Sequence, residues 1–290
     1  MPELPEVHTT VTELNKLIKG NKIIDIWTNY KSTYYEKQIK NPSYFKEFKK
    51  VVIGSKVKNV ERRAKNILIN LDNGRVILIH MKMTGHLLYG QYKKTRETWS
   101  PTEEGPLQDK MNGWIRMVFT FDNGKHLALS DMRKFAKVTL EKDLDHLGPE
   151  PLEKEFVFKI FKDQINKKPN GKIKTVLLNQ EIISGIGNIY SDESLWLSKI
   201  EPETIVKKLT DDQIKNLLKN IKEVLKKGIR LLGDSMSDYR RPDGTPGNFQ
   251  KHHRVYQRKN LDCFRKDCKG TIQRKVVGGR GTHFCPDCQK

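Results

Sequence analysis

No cysteine occurs in the first 262 residues of this 290-residue chain, and all four lie between positions 263 and 288. That distribution excludes a disulfide framework spread through a secreted fold and points to a local metal site. No apolar stretch approaches the about 20 residues that a membrane span requires, and the amino terminus lacks the apolar core of a signal peptide. The chain therefore reads as soluble and intracellular, with no membrane partner. Acid is also in short supply: 35 Asp and Glu face 55 Lys and Arg, a formal net charge of +20. Such an excess favours a polyanionic partner, although charge alone also suits a ribosome-associated or merely lysine-rich protein. There is no internal repeat, and no carboxylate cluster of the kind a magnesium-dependent nuclease needs.

Length favours two domains. Val7, Val11, Leu14, Leu17 and Ile18 recur at helical spacing with Gly20 as a stop, which predicts a helix over 7–19. From 22 to 140 the pattern changes to short apolar runs at 23–27, 67–71, 76–79, 117–121 and 137–140. Asp72-Asn73-Gly74 and Asp122-Asn123-Gly124 are hairpin signals, so an antiparallel sandwich or barrel is expected here. The polar stretch 91–112 has no period and reads as a surface loop. His146-Leu147-Gly148-Pro149-Glu150-Pro151 interrupts the pattern, and helices are predicted over 153–166, 173–180, 189–198 and 211–231. In the last of these, Thr210 caps an acidic first turn. The expectation is a multidomain α+β chain: an N-terminal β-sandwich over 1–145, a helical domain over 146–255 and a zinc finger over 256–290.

Three segments carry chemistry. Met1-Pro2-Glu3-Leu4-Pro5-Glu6-Val7 places a proline where removal of Met1 frees a secondary amine. An α-amine has a pKa near ~8 and is partly deprotonated at neutral pH, so it can attack an electrophilic carbon and form an iminium. The plainer alternative is two prolines stiffening an exposed tail. Cys263-x4-Cys268-x16-Cys285-x2-Cys288 presents two close thiolate pairs across about one hairpin, with Gly278-Gly279 as the turn. This spacing suits one tetrahedral structural zinc ion. Gly185-Ile186-Gly187-Asn188-Ile189-Tyr190 lies between helical stretches, where backbone N–H groups at a helix start suit a phosphate and where a structural turn is the simpler reading.

Taken together, these segments resemble the formamidopyrimidine-DNA glycosylase/endonuclease VIII family of bifunctional base-excision enzymes. Arg62-Arg63-Ala64-Lys65, His80-Met81-Lys82-Met83-Thr84-Gly85, Asp131-Met132-Arg133-Lys134-Phe135 and Asp243-Gly244-Thr245-Pro246-Gly247 extend the match. The resemblance runs the length of the chain in the family's order. It implies a helix-two-turn-helix within the helical domain and a β-hairpin zinc finger after it. It also implies a DNA glycosylase/AP lyase in which Pro2 is the nucleophile, Glu3 the general acid and Lys65 a second cationic acid. Arg280 would hold the phosphates flanking the flipped nucleotide. Met83, Arg133 and Phe135 match the family's void-filling residues, whereas without that context Met83 and Phe135 would read as core. Asn188 and Lys174 match phosphate-binding positions. Glu6 reads more simply as a first-turn carboxylate facing the helix dipole.

The sequence departs from the family in three places. Four residues separate the first cysteine pair where two are common, 110–115 lacks a histidine common in bacterial members, and Arg133-Lys134 replaces an arginine pair. The expected partner is double-stranded DNA with oxidised bases or abasic sites, single-stranded DNA being left open, and the chain is expected to act as a monomer. The head and the long 233–239 segment resemble the branch acting on 8-oxoguanine and formamidopyrimidines. Val7-His8-Thr9 leaves the oxidised-pyrimidine branch open. The rival reading is a non-catalytic zinc-finger protein that binds damaged or structured DNA, which would need neither the proline amine nor its neighbouring carboxylate.

Overall fold

The computed structural model describes residues 1–140 and 144–290; residues 141–143, within the first expected domain, lie outside the described residues. The chain divides into two compact units, Met1–Leu144 with Leu231–Asn248, and Asp145–Arg230 with Phe249–Lys290. Residues 231–248, assigned from sequence to the helical domain, thus group with the first unit, and the zinc-finger residues group with the helices.

The first unit opens with α1 (Leu4–Ile18), followed by β1 (Ile23–Thr28), α2 (Pro42–Val52), β2 (Val57–Arg63), β3 (Asn66–Leu71), β4 (Val76–His80) and β5 (His86–Gly90). Then come β6 (Tyr92–Thr95), β7 (Thr98–Pro101), β8 (Ile115–Phe121), β9 (His126–Ser130) and β10 (Lys137–Thr139). Two four-stranded antiparallel sheets form, in the orders β1-β8-β9-β5 and β10-β4-β3-β2. Both expected Asp-Asn-Gly turns close hairpins, β3–β4 and β8–β9, with Gly74 and Gly124 at φ 79° and 75°.

One core joins the two sheets. Ile67, Ile69, Ile77 and Ile79 from one sheet cluster with Met117, Phe119, Leu127 and Leu129 from the other, together with Val7, Val11, Leu14 and Ile18 of α1. Side chains alternate along a strand, so Val118, between Met117 and Phe119, turns to the opposite face. There it packs with Leu88, Tyr92 and Ala128 beneath Trp99 and Leu107. The stretch 91–112, expected as a loop, is therefore structured: the β6–β7 hairpin and two short 3-10 turns cover the outer face of a sheet. Helix α1 begins three residues sooner than its apolar pattern, because Glu3 caps it and Pro5 sits in the first turn, where a missing N–H has no intrahelical partner to lose.

The second unit comprises α3 (Phe158–Ile165), α4 (Ile173–Leu178), α5 (Asn188–Ser198), α6 (Asp211–Arg230) and the hairpin β11 (Gln273–Val277) and β12 (Arg280–Phe284). Helix α3 starts later than the predicted 153, since Glu153 belongs to a turn closed by its carboxylate on the Glu150 N–H. Helix α6 buries the expected stripe of Ile214, Leu217, Leu218, Ile221, Val224 and Leu225. No helix is long and apolar enough to cross a membrane among the described residues.

Candidate active site and nucleic-acid interface

Pro2 is buried immediately before α1, with Glu3 and Glu6 only 2 % and 1 % exposed. A carboxylate in such a place needs hydrogen-bond donors to offset lost hydration. Glu3 and Glu6 supply them reciprocally as a capping box, the Glu3 N–H donating to Glu6 Oε2 at 2.7 Å. The other oxygen of Glu6, Oε1, accepts the Asp234 N–H at 2.7 Å, and its backbone carbonyl accepts the Tyr239 hydroxyl at 3.0 Å. Burial pushes the Tyr239 phenol well above its usual pKa, so it stays a donor. Glu6 thus does more than face a dipole: it clamps residue 3 to the returning segment 231–248. Gly233 permits that approach, because its φ is 86° and a Cβ there would lie 2.9 Å from Glu6 Cγ.

Lys65, only 5 % exposed, follows Ala64, which takes the left-handed φ of 52° in the β2–β3 turn. Desolvation pushes the nearby His80 imidazole down to about 3, with the Lys82 and Lys65 charges adding to the effect. The ring therefore stays neutral, and its Nδ1 accepts the Lys82 N–H at 2.9 Å. That bond shapes the loop bearing Met83.

The three expected void fillers are solvent-facing. Met83 is 36 % and Phe135 45 % exposed, and the Arg133 guanidinium lies 4.6 Å from the Phe135 ring centre. Their two loops are joined by Asp131, which is fully buried. Its carboxylate accepts from the Thr84 hydroxyl in the Met83 loop and from the Ala136 N–H at 2.8 Å and the Tyr30 hydroxyl at 3.2 Å. The Thr84 hydroxyl oxygen in turn accepts the Arg133 N–H at 3.1 Å. Sequence reasoning assigned no role to Asp131 or Thr84. The available signal was a lone acid heading a turn of otherwise cationic and apolar residues.

In the second unit Asn188 is the first residue of α5, and its Nδ2 donates to the Gly281 carbonyl at 2.9 Å. Arg280, exposed at the start of β12, is the neighbour of that carbonyl in the chain. The structure therefore brings these two expected phosphate ligands together. It corrects the third. Lys174 is 0 % exposed, pairs with Asp192 at 2.5 Å and donates to Ser191 Oγ at 2.7 Å and the Asn188 carbonyl at 3.1 Å. An ammonium so enclosed presents no surface to a phosphate; it braces the start of α5. Asp192 completes the brace by accepting the His283 N–H of β12 at 2.9 Å.

The Sγ atoms of Cys263, Cys268, Cys285 and Cys288 all lie within 4.8 Å of one another. Cys263–Cys288 and Cys268–Cys285 are 3.8 and 3.6 Å apart. A tetrahedron with Zn–S bonds of about 2.3 Å has S···S edges of about 3.8 Å, so the four thiolates fit one zinc ion, longer first knuckle included. The Trp196 indole and the Gly270 N–H donate to Cys263 and Cys268, each at 3.4 Å, as supports behind the ligands.

A capped Pro-Glu head on a two-sheet unit, with a helical unit that ends in a zinc hairpin, is the architecture of a bifunctional DNA glycosylase/AP lyase. Residues 1–138 match the formamidopyrimidine-DNA glycosylase N-terminal domain, 147–240 the H2TH domain of the same enzyme, and 266–290 the zinc finger found in FPG and IleRS. The chain belongs to the formamidopyrimidine-DNA glycosylase family. It is 35 % identical over 300 residues to the formamidopyrimidine-DNA glycosylase of Pelotomaculum thermopropionicum, covering 100 % of this chain and 99 % of that one. Identity to the Bacillus subtilis enzyme is 37 %, with the same coverage. Among solved structures, the Lactococcus lactis enzyme bound to DNA containing an abasic site superposes with a TM-score of 0.82 at 32 % identity, covering 100 % of each chain. A mutant of that enzyme with DNA containing formamidopyrimidine-dG gives 0.83, again at 32 % identity and full coverage.

Proposed function

We infer that this protein excises oxidised bases from double-stranded DNA and then cleaves the strand at the abasic site it has made. The observation that carries the reading is the head of α1, where residue 2 is buried beside a carboxylate that the capping box holds in place. A protein that only bound damage would gain nothing from enclosing a proline nitrogen and an acid together.

With Met1 in place, that nitrogen is an amide. Removing Met1, which is 39 % exposed, leaves a secondary amine. Its lone pair attacks C1′ of the damaged nucleoside as the glycosidic bond breaks and the base departs with the bonding electrons. Glu3 gives a proton to the ring oxygen as the sugar opens, and Lys65 assists as a cation. The iminium on Pro2 draws electrons from its neighbours, so a C2′ proton is lost and the 3′ phosphate leaves. A second elimination expels the 5′ phosphate, and water releases the sugar fragment. Met83, Arg133 and Phe135 occupy the space the extruded nucleotide leaves, while Asn188 and Arg280 hold phosphates. Zinc supplies no chemistry to these steps; it fixes the hairpin that bears Arg280.

The preferred lesions are oxidised purines, 8-oxoguanine and formamidopyrimidines, supported by the match to the formamidopyrimidine enzymes at both ends of the chain. The protein acts as a monomer on genomic DNA inside the cell. The test is a duplex carrying one 8-oxoguanine, incubated with protein lacking Met1. The expected product is a one-nucleotide gap with phosphate on both ends, formed faster than from a thymine glycol duplex. Tight binding without cleavage of any oxidised duplex would favour the non-catalytic reading instead.

A further inference from the structure

Beside the loop bearing Arg133 and Phe135 lies a cavity that the reaction above leaves unused. Its volume is about 400 Å³, and Lys31, Tyr35 and Lys40 line it from one side, Arg133, Lys134 and Phe135 from the other. That size falls in the about 300–1,000 Å³ range of small-ligand sites. All these residues belong to the first unit.

Its charge is one-sided. No carboxylate lines the cavity, and among the described residues none of the four cations makes an ion pair. Lys40 is the most constrained, only 4 % exposed, with its ammonium 4.6 Å from the Tyr35 ring centre and 5.5 Å from that of Tyr30. Burial lowers its pKa despite the opposing pull of Asp131. The Asp131 carboxylate is itself occupied by the three donors already described. A cation held mainly by aromatic faces gains from an entering anion. Tyr35 is partly exposed and Phe135 exposed, offering ring faces next to the cations. Cations beside accessible aromatic faces take a phosphate together with an unstacked base, the pattern of single-strand sites. Intact duplex offers no unstacked base, but a duplex opened by an inserted side chain does.

We propose that this cavity is a subsite for one unstacked nucleotide of the DNA next to the inserted loop. Lys31, Lys40 and Lys134 take its phosphate, and its base stacks on Tyr35. The subsite rests on the glycosylase reading and extends it from the extruded lesion to a neighbouring nucleotide of either strand.

The test compares affinities of the parent, Lys31→Ala and Tyr35→Ala proteins, all lacking Met1, for three duplexes containing a tetrahydrofuran abasic analogue. One duplex is intact, one lacks the nucleotides flanking the lesion in its own strand, and one lacks those facing them in the complementary strand. Both substituted residues are at least partly exposed, so the fold tolerates their loss. Each substitution is expected to weaken binding to the intact duplex about tenfold. The effect should vanish on whichever gapped duplex has lost the nucleotide, which identifies its strand. Unchanged affinity for the intact duplex, or equal weakening on all three, would overturn the subsite. Borohydride trapping of the parent on an abasic duplex is the separate control: a failure there rejects the glycosylase reading, whereas trapping with indifferent variants rejects only the subsite.

Discussion

At the head of α1, the restraints on the proposed reactive residues are short-range hydrogen bonds. Glu3 and Glu6 cap one another, and a backbone N–H and a phenol from the segment 231–248 complete the clamp. At the start of α5 in the second unit, the restraints are buried charge and a metal site. Lys174 and Asp192 lock the helix start to β12, and four thiolates close the hairpin beyond it. The contrast follows from what each region holds. A nucleophilic amine attacks only when uncharged, a state that a neighbouring cation such as Lys65 favours, and the hydrogen bonds of the capping box fix the carboxylates beside it. The proposed phosphate ligand Arg280 must stay charged and exposed, and the buried Lys174–Asp192 pair supplies orientation to the neighbouring helix start without competing for the anion.

The sharpest way to break the comparison is to remove the metal. Chelation is expected to unfold the hairpin and abolish DNA binding while the two-sheet unit stays folded, since structural zinc supplies about 10–16 kcal/mol in isolated fingers. Limited proteolysis with and without chelator reads this directly; uniform digestion of both units would show that the hairpin is not an independent dependency.

Next in size is Lys174→Met. Breaking a buried pair costs about 3–5 kcal/mol, because the Asp192 charge is left without its partner. Urea unfolding should show that loss, while the dependence of DNA affinity on salt keeps its slope. Arg280→Ala should do the reverse, leaving stability intact and reducing the slope by about one unit. If Lys174→Met reduced the slope with stability unchanged, the side chain would be a phosphate ligand after all.

A pH effect of comparable size belongs to the first unit. His86 is 1 % exposed, and burial pushes its imidazole down to about 4 even though Asn112 Oδ1 and the Thr84 carbonyl, 3.0 and 3.3 Å away, favour the charged ring. The unfolded chain takes up that proton near the ordinary 6.5 and the folded one only near 4. The contribution is therefore complete above pH 6.5 and is lost as pH falls toward 4, by up to about 3 kcal/mol. Replacing His86 with Gln should flatten the fall in unfolding free energy between pH 7 and 4, and an unaltered slope would assign it to other groups.

The smallest expected effect is the most local. Gly233→Ala forces a side chain into a positive φ against Glu6, at a cost of about 1–2 kcal/mol. Base excision should slow more than DNA binding weakens, because the strain falls on the clamp at residue 3. Equal losses in both would mean the segment serves the fold alone.

Much of this molecule is legible in its sequence where a pattern is local. The Asp-Asn-Gly hairpins, the stripe of α6 and the cysteine spacing each place a structural element through neighbours a few residues apart. The hairpin over 92–101 is less legible, because its apolar residues Tyr92 and Trp99 gain meaning only from a sheet face that other strands build. Helix α2 is also less legible, although Asn41 caps it and Phe48 and Val52 anchor it, because lysines dilute its apolar positions. The errors at the site have the same origin. Lys174 resembles any surface lysine until Asp192, eighteen residues away, is folded over it. Asp131 and Glu6 act through partners at positions 30, 84 and 234, which no local window contains.

The central claim is that the amine of Pro2 carries the chemistry. Borohydride trapping on an oligonucleotide with one abasic site, with intact mass confirming removal of Met1, tests it most directly. A covalent adduct that maps to residue 2 and disappears in Pro2→Gly or Pro2→Thr is the predicted result. Properly processed protein that binds the oligonucleotide but forms no adduct, or one that maps to a lysine, would contradict it.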